Sequence, residues 1–565
     1  MTMTQWLLVL TPLFPLLLVL TCCLPGLRAL LGYAAVIAPL PALLLSFMPT
    51  DQLSMPALLL GSVWHLLPIS KTFLTFTSLL WLFSAIYGLG YLRKDPDAKR
   101  FWLLWLLTLT GNLGLLISAD IISFYTFFAL MTFAAYGLVI SQQDSSALRA
   151  GRIYLIMALM GEMLILAGLF LASTAASHSS LLTRDLAAAI VESDNAGLIV
   201  FCLFSGFGVK AGIPLLHFWL PLAHPVAPTP ASAVLSGAMI KAGLFAWISL
   251  LPLGYMQEPA WGLIIIYVGL LAAFGGGVIG IMQAAPKAVL AYSSISQMGI
   301  MTLSLGSLFI VPELTPLLLP VVAFYALHHA LAKGALFLSV SFKDAYQGVP
   351  VFLLGLGMLL PALSLIGLFG SGAQAKLLLK AQLYQDELPD WLITSLTLSA
   401  LATTALMLRF LWLLWQQRSH QPEPADKRMQ LGFTATVLAS ALAPQLLAGS
   451  LQITPLHQQP AAYFELLWVP AFTLVLGWLI SRKGPTWQLP QGDLVMLLER
   501  GIVVLWQGLK QLSRVPLLPA GLADPESLKK IYNLPLPEQL AKSQIAWLFG
   551  VVVILATLIM AVSQS

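Results

Sequence analysis

Charge is what this sequence lacks most. Lys and Arg number 28 and Asp and Glu 23 in 565 residues, 9% in all, where a soluble domain carries about 25%. So few charges cannot cover a water-facing surface, which excludes the soluble globular, disordered and coiled-coil classes. Cysteine is nearly absent as well. Cys22, Cys23 and Cys202 sit within apolar runs and build no disulfide framework, Cys-x-x-Cys pair or Cys/His metal spacing. No Walker motif, catalytic triad or metal-ligand set is present, so no cofactor and no metal is expected, and the chain does no redox chemistry by itself. The glycines at 206, 208 and 212 and at 275, 276, 277 and 280 lie inside apolar runs with no strand ahead of them. They read as close helix packing rather than nucleotide loops. No basic stretch precedes the apolar run from Trp6 and no small-residue cleavage site follows it, so the first segment reads as a retained span.

What the sequence has in abundance is apolar length. Apolar residues make up 59% of the chain and the mean hydropathy is +0.89. Runs of about 18 to 25 such residues recur, the length that crosses ~30 Å of hydrocarbon as helix. About sixteen crossings are expected, near 5–24, 28–48, 72–92, 101–118, 120–140, 152–173, 197–216, 229–252, 261–284, 288–310, 317–341, 350–380, 391–415, 431–449, 461–481 and 544–562. The expected fold is thus an all-α polytopic membrane protein. Residues 1–100 would hold the N-terminal spans and an external hairpin within 53–70, and residues 416–483 further spans. Residues 484–543 would be a cytoplasmic-side segment ahead of a last span in 544–565. Within that segment, Asp493–Arg514 is apolar but interrupted by Glu499, Arg500 and Lys510. A charge at the bilayer centre costs about 2.5–3.5 kcal/mol, so it is expected to lie on the surface as a short amphipathic helix.

Basic residues fall on alternate loops. Arg28, Arg93 to Arg100, Arg149 and Arg152, Lys287, Lys343 and Arg418 to Arg428 lie on one set, with those after Arg482. The other set holds little beyond Lys71 and Arg184 but collects Asp185, Glu192, Asp194, Glu258, Glu313, Asp386, Glu387 and Asp390. The positive-inside bias places the first set in the cytoplasm and both termini outside, in a cell inner (plasma) membrane. The net charge of +5 needs no nucleic-acid partner to explain it.

A few ionisable residues remain inside spans: Glu162, Lys210, Lys241, Lys333 and Lys376, with His329 one turn before Lys333. Lys380, Arg409 and Glu465 lie nearer span ends, where long side chains reach water. Hydrocarbon offers such groups no partner, so they are functional candidates. Four lysines with one acid cannot be four structural ion pairs. Buried lysines linked by water, hydroxyls and histidine suit proton transfer, because burial draws their pKa toward neutrality. Pro214 after Lys210, and Gly370-Ser371-Gly372 ahead of Lys376, interrupt their spans. Paired broken helices mark a transport site, and they suggest two inverted five-helix repeats at 101–252 and 261–415.

Four stretches carry a family resemblance: GVKAGIPLLHFWLPLAHPVAPTPASAVLSGAMIKAG (208–243), KAVLAYSSISQMG (287–299), HHALAKGALFL (328–338) and SGAQAKLLLK (371–380). They resemble the antiporter-like subunits of respiratory complex I, Mrp-type cation/proton antiporters and membrane-bound hydrogenases, over roughly residues 70–415. The layout is most similar to the distal, largest complex I subunit of this kind. The resemblance implies a proton path through Lys210, Lys241, His329, Lys333 and Lys376, with His217, His328, Pro214 and Ser236 in support. It departs in one place. Where the family has Trp-Glu in its fifth span, this chain has Phe128-Ala129, and Leu222 replaces the acidic residue usual after Trp-Leu-Pro. Glu162 is the candidate to take over for the missing glutamate.

The leading expectation is a proton-conducting subunit driven by other membrane and cytoplasmic-side subunits, with H+ or Na+ as the ion, and so part of a translocase. One alternative is the membrane subunit of an inorganic-carbon accumulating complex powered by a cation gradient. The other is a scaffold that does not pump. Reporter fusions are expected to place Arg93–Arg100 and Arg418–Arg428 inside and Ser173–Asn195 outside. An outside signal at Lys427 would overturn the topology.

Overall fold

The computed structural model describes residues 1–20, 24–59, 61–175, 180–344, 351–416, 426–449 and 467–475. Several expectations lie outside these residues: Cys22, Cys23, Arg418, Glu465, most of span 461–481, the segment 484–543 with its amphipathic helix, and the last span. Eleven helices among the described residues are long and apolar enough to cross a bilayer. The helices Met3–Val19 (α1) and Ala196–Ala211 (α9) are apolar but shorter.

After α1 come α2 (Leu31–Ile37) and α3 (Leu40–Leu45), then a two-stranded hairpin. Strand β1 (Gln52–Met55) pairs antiparallel with β2 (Ser62–His65). The bundle continues with α4 (Pro68–Tyr91), α5 (Ala98–Leu115), α6 (Ile121–Val139), α7 (Ser145–Ala175) and the short α8 (Thr183–Val191). Helix α9 is followed by α10 (Trp219–Val226), α11 (Thr229–Val234) and α12 (Ile240–Leu250). Then come α13 (Pro259–Ile281), α14 (Pro286–Ile310), α15 (Thr315–Asp344), α16 (Val351–Ile366), α17 (Gly370–Leu383), α18 (Trp391–Gln416) and α19 (Lys427–Ala448).

The hairpin caps one end of the bundle. Asp120, at the N-cap of α6, accepts the Ser123 amide at 2.7 Å and the Val63 amide at 2.8 Å. The Thr183 amide donates to the Ala119 carbonyl at 2.9 Å. Three loops distant in sequence are thereby tied together at that end. At the other end Arg93 approaches Asp426 at 3.6 Å, Lys287 donates to the Ala227 carbonyl and Arg409 to the Gln283 carbonyl. The two loop classes distinguished by their basic residues therefore occupy opposite ends.

Two groups of five crossing segments follow one another. In the first, α5, α6, α7, the pair α9–α10 and the pair α11–α12 succeed each other; in the second, α13, α14, α15, the pair α16–α17 and α18. The fourth member is broken in both.

Helix α14 is enclosed by its neighbours along its length although it carries Ser293, Ser294, Ser296, Gln297, Thr302, Ser304 and Ser307. It is held against α13 by glycines facing each other. A Cβ on Gly269 would meet the Gly299 carbonyl at 2.6 Å, and one on Gly262 the Gly306 carbonyl at 2.9 Å. Small residues let backbones approach this closely, which is how helices pack when lipid supplies no hydrophobic drive. Gly299→Leu is expected to destabilise the protein by roughly 1–3 kcal/mol or more through overpacking, read as a lower melting temperature in mild detergent. Gly275→Ala, whose Cβ would meet only Leu271 at 3.9 Å, should match the parent chain.

Candidate functional site

The buried ionisable groups fall into three clusters. The first lies at the break between α9 and α10. Gly212 takes a left-handed φ of 79° and ends α9, its amide closing on the Gly208 carbonyl at 2.8 Å. Glycine adopts this conformation without the Cβ penalty. Pro214 follows in the connecting turn rather than inside the helix, so the glycine makes the break. The chain end leaves the Val209 carbonyl without a helical partner, and the Trp219 indole donates to it at 2.7 Å. Lys210, in the last turn of α9 and 4% exposed, donates to the Tyr154 hydroxyl at 3.0 Å. Its ammonium lies 5.2 Å from the Tyr154 ring centre and 5.7 Å from that of Trp219, distances at which a cation is drawn to an aromatic face. Tyr154 passes its own proton to the Thr132 carbonyl at 2.8 Å. His217 sits in the turn with its ring against Phe218 and Tyr292.

Glu162 shares this place. It is 3% exposed, lies on α7 two turns beyond Tyr154, and neither carboxylate oxygen has a hydrogen-bond partner among the described residues. A small cavity of about 20 Å³ is lined by Phe128, Thr132, Tyr154, Lys210 and Trp219 among others, and by Glu162 as well. Phe128, beside Ala129 on α6, stacks with Phe124 and meets Phe207 edge-on, and Phe124 stacks with Phe245.

The second cluster is central. Between α11 and α12, residues Leu235–Met239 form a π-helical turn, an irregularity frequent at functional sites. The Ile240 amide reaches back to the Leu235 carbonyl, and the Lys241 ammonium donates to the Ser236 carbonyl at 2.7 Å. The Ser236 hydroxyl meets the Ser294 hydroxyl of α14 at 2.7 Å, and Ser294 donates to the Leu290 carbonyl at 3.0 Å. Lys333 of α15 donates to that same carbonyl at 2.8 Å. Two lysines on different helices, both 0% exposed, are thus joined through two serines and one carbonyl. His329, one turn before Lys333, is fully buried with neither ring nitrogen partnered, and so is His224, stacked on Phe337.

The third cluster surrounds the break between α16 and α17. Gly367, at φ 96°, and Gly370, at φ 63°, turn the chain. Lys376 reaches back from α17 to the Ile366 carbonyl, the last of α16, at 2.6 Å. An ammonium there satisfies an orphan carbonyl and faces the negative end of the helix dipole. His328, adjacent to His329 but on another side of α15, meets the Ser371 hydroxyl at 2.9 Å. Tyr325 donates to Gln297 at 2.7 Å, which donates to Thr403 of α18 at 2.8 Å.

The structure therefore joins Lys241, Ser236 and Lys333, and puts Glu162 and Lys210 around one cavity without pairing them. No hydrogen bond among the described residues links one cluster to the next. Sequence reasoning passed over Tyr154, Trp219, Ser294 and Ser371. Only Tyr154 carried a signal from spacing alone, since it precedes Glu162 by eight residues, close to two helical turns and so on the same face.

Residues 118–375 match the sequence pattern of the family described as NADH:quinone oxidoreductase/Mrp antiporter, TM. Over this stretch, a little under half of its length, the chain is similar to that antiporter-like family. Lys376 lies one residue beyond the matched stretch. Hydrogenase-4 component B of Escherichia coli (strain K12) is 32% identical over 276 residues, 46% of this chain and 40% of that protein. An Na(+)/H(+) antiporter subunit of Alkalihalophilus pseudofirmus is 25% identical over 403 residues, 66% of this chain and 79% of that protein. Against the first of these relatives the antiporter-like chain spans less than half the length. Among solved structures, a chain of the Mrp complex from Dietzia sp. DQ12-45-1b superposes with a TM-score of 0.70 at 19% identity, covering 91% of this chain and 60% of that one. A chain of the membrane-bound sulfane sulfur reductase, an archaeal respiratory complex, gives 0.66 at 17% identity, covering 83% and 99%. These likenesses share the polytopic helical fold.

The second break yields a prediction. An alanine at Gly367 is strained at φ 96°, and its Cβ would meet the Lys376 side chain at 2.7 Å. Gly367→Ala is expected to cost about 1–2 kcal/mol for the left-handed backbone alone, measured as a lower unfolding midpoint. A midpoint equal to that of the parent chain would show that the turn does not need glycine.

Proposed function

We propose that this antiporter-like chain is the proton-conducting membrane subunit of a multi-subunit complex in the cell's inner membrane. Its partners, membrane and cytoplasmic-side subunits of the same complex, supply the energy. The observation that carries this reading is the kind of acceptor each buried lysine has. Lys210, Lys241, Lys333 and Lys376 donate to a phenol or to backbone carbonyls, and none forms an ion pair among the described residues. A lysine fixed by a carboxylate keeps its charge; one held by a neutral oxygen gains and loses a proton with little rearrangement of its neighbours. The donor set favours H+ over Na+, because a metal cation prefers several oxygen ligands. The Ser236–Ser294 hydroxyl pair lies between the two carbonyls, of Ser236 and of Leu290, on which Lys241 and Lys333 rest, and the neighbours His328 and His329 face the third and second clusters respectively. Relatives described as a hydrogenase component and as an antiporter subunit support membership of a larger assembly.

Ala129 in place of the acid that the resemblance leads one to expect, beside the phenylalanine stack at Phe128, favours a second reading, a scaffold that retains the fold without the flux. One experiment separates the two. The complex carrying this chain is purified in mild detergent, reconstituted into liposomes, and proton flux under an imposed gradient is followed with a pH-sensitive dye. Lys210→Ala and Lys376→Ala are each expected to abolish the flux while the chain still inserts and assembles. Normal flux in both variants would leave the scaffold reading.

A further inference from the structure

Glu162 is the one acid the sequence leaves inside the spans, and its surroundings are unlike those of a structural carboxylate. A buried, ionised carboxylate without hydrogen bonds is costly, and this one has neither an ion pair nor a hydrogen bond. The hydroxyls of Thr132 and Tyr125 lie around it without closing a bond. Lys210, which lines the same cavity, rests on Tyr154 instead. The cavity has room for a water molecule and offers it polar partners on both sides, the conditions under which a buried water is held. Tyr154 and Glu162 both come from α7, whereas Phe128 of α6 contributes only a ring.

We propose that Glu162 and Lys210 exchange a proton through a water held in this cavity, with the Tyr154 hydroxyl as the resting partner of Lys210, so that α7 has taken over the acid's task from α6. The acid form of Glu162 gives its proton to the bridging water while that water gives one of its own to the Lys210 amine. A carboxylate and an ammonium result and the water is restored; the return step reverses each transfer. Tyr154 holds the lysine at the break in either state by accepting an N–H from the ammonium or from the amine, while its own proton stays on the Thr132 carbonyl. Tyr125, Phe128, Ala129 and Thr132 are spaced along α6 at intervals that share one helix face, and Phe128 and Thr132 line the cavity. An acid at position 129 would therefore lie on the stripe that faces Glu162.

This inference rests on the proton-conducting reading, so its test runs beside the lysine variants in the same liposome assay. Glu162→Gln keeps the side-chain shape and removes the exchangeable carboxyl proton. It is expected to lower the flux by roughly a hundredfold or more, within the 10²–10⁴ that a positioned acid–base group contributes. Adding Ala129→Glu to that variant is expected to restore part of the flux, a rescue that a purely structural role for Glu162 would not produce. Flux unchanged by Glu162→Gln, while Lys210→Ala abolishes it, would overturn the inference and leave the proton-conducting reading standing. Should Glu162→Gln not assemble, Tyr154→Phe carries the test. It is expected to displace the pH profile of the flux, and an unchanged profile would likewise overturn the proposal.

Discussion

Each buried lysine of this bundle depends on an oxygen that the surrounding helices make available. Burying an ammonium costs several kcal/mol unless hydrogen bonds replace water, and a carbonyl left open in hydrocarbon costs comparably. The two problems are solved together at three positions. Lys376 takes the last carbonyl of α16, Lys241 takes a carbonyl of the π-helical turn, and Lys333 takes the Leu290 carbonyl that also accepts Ser294. A hydrogen bond to a charged group is worth about 1.5–3 kcal/mol, so Lys376 and Lys241 also stabilise the irregularities that hold them, while Lys333 rests on a carbonyl inside α14. Lys210 differs in having a side-chain hydroxyl as its acceptor, while Trp219 satisfies the carbonyl freed by the break.

That constraint explains why the middle of the bundle is polar yet tightly enclosed. Helix α14 threads the centre and supplies Leu290 and Ser294 to the central cluster and Gln297 to the network beside the third. Its approach to α13 through facing glycines fixes those groups in register, because contacts made backbone to backbone leave little room to slide. Two helix pairs, α9–α10 and α16–α17, are broken. In both, the glycine that takes a left-handed conformation sits at the end of the first half-helix.

The first cluster is where this chain departs from the family it resembles. Around Phe128 the α6 face is aromatic, with Phe124, Phe207 and Phe245 packed in edge-on and stacked pairs. A carboxylate could not be accommodated in that stack without loss of its apolar contacts. The polar side of the site is correspondingly carried by α7, and the cavity opens between α7 and α9 rather than against the phenylalanines alone.

Apolar run length and the scarcity of charge were enough to determine a polytopic helical membrane protein. They located most of the helices to within a few residues, since crossing hydrocarbon demands length and internal hydrogen bonding whatever the neighbours are. Basic-residue spacing separated the two loop classes that the hairpin and the Arg93–Asp426 contact later place at opposite ends. The lysines stood out because hydrocarbon gives a charge no partner. Their partners were not legible. Tyr154 lies 56 residues from Lys210, Leu290 lies 43 from Lys333, and Ser294 lies 58 from Ser236. The π-helical turn at Leu235–Met239 carries only Ser236-Gly237, which an apolar run leaves readable as close helix packing, and its residues are enclosed on every side. Only the tertiary structure decided which oxygen each ammonium meets, because a hydrogen bond is settled by angstrom-scale approach between helices that the sequence order keeps far apart.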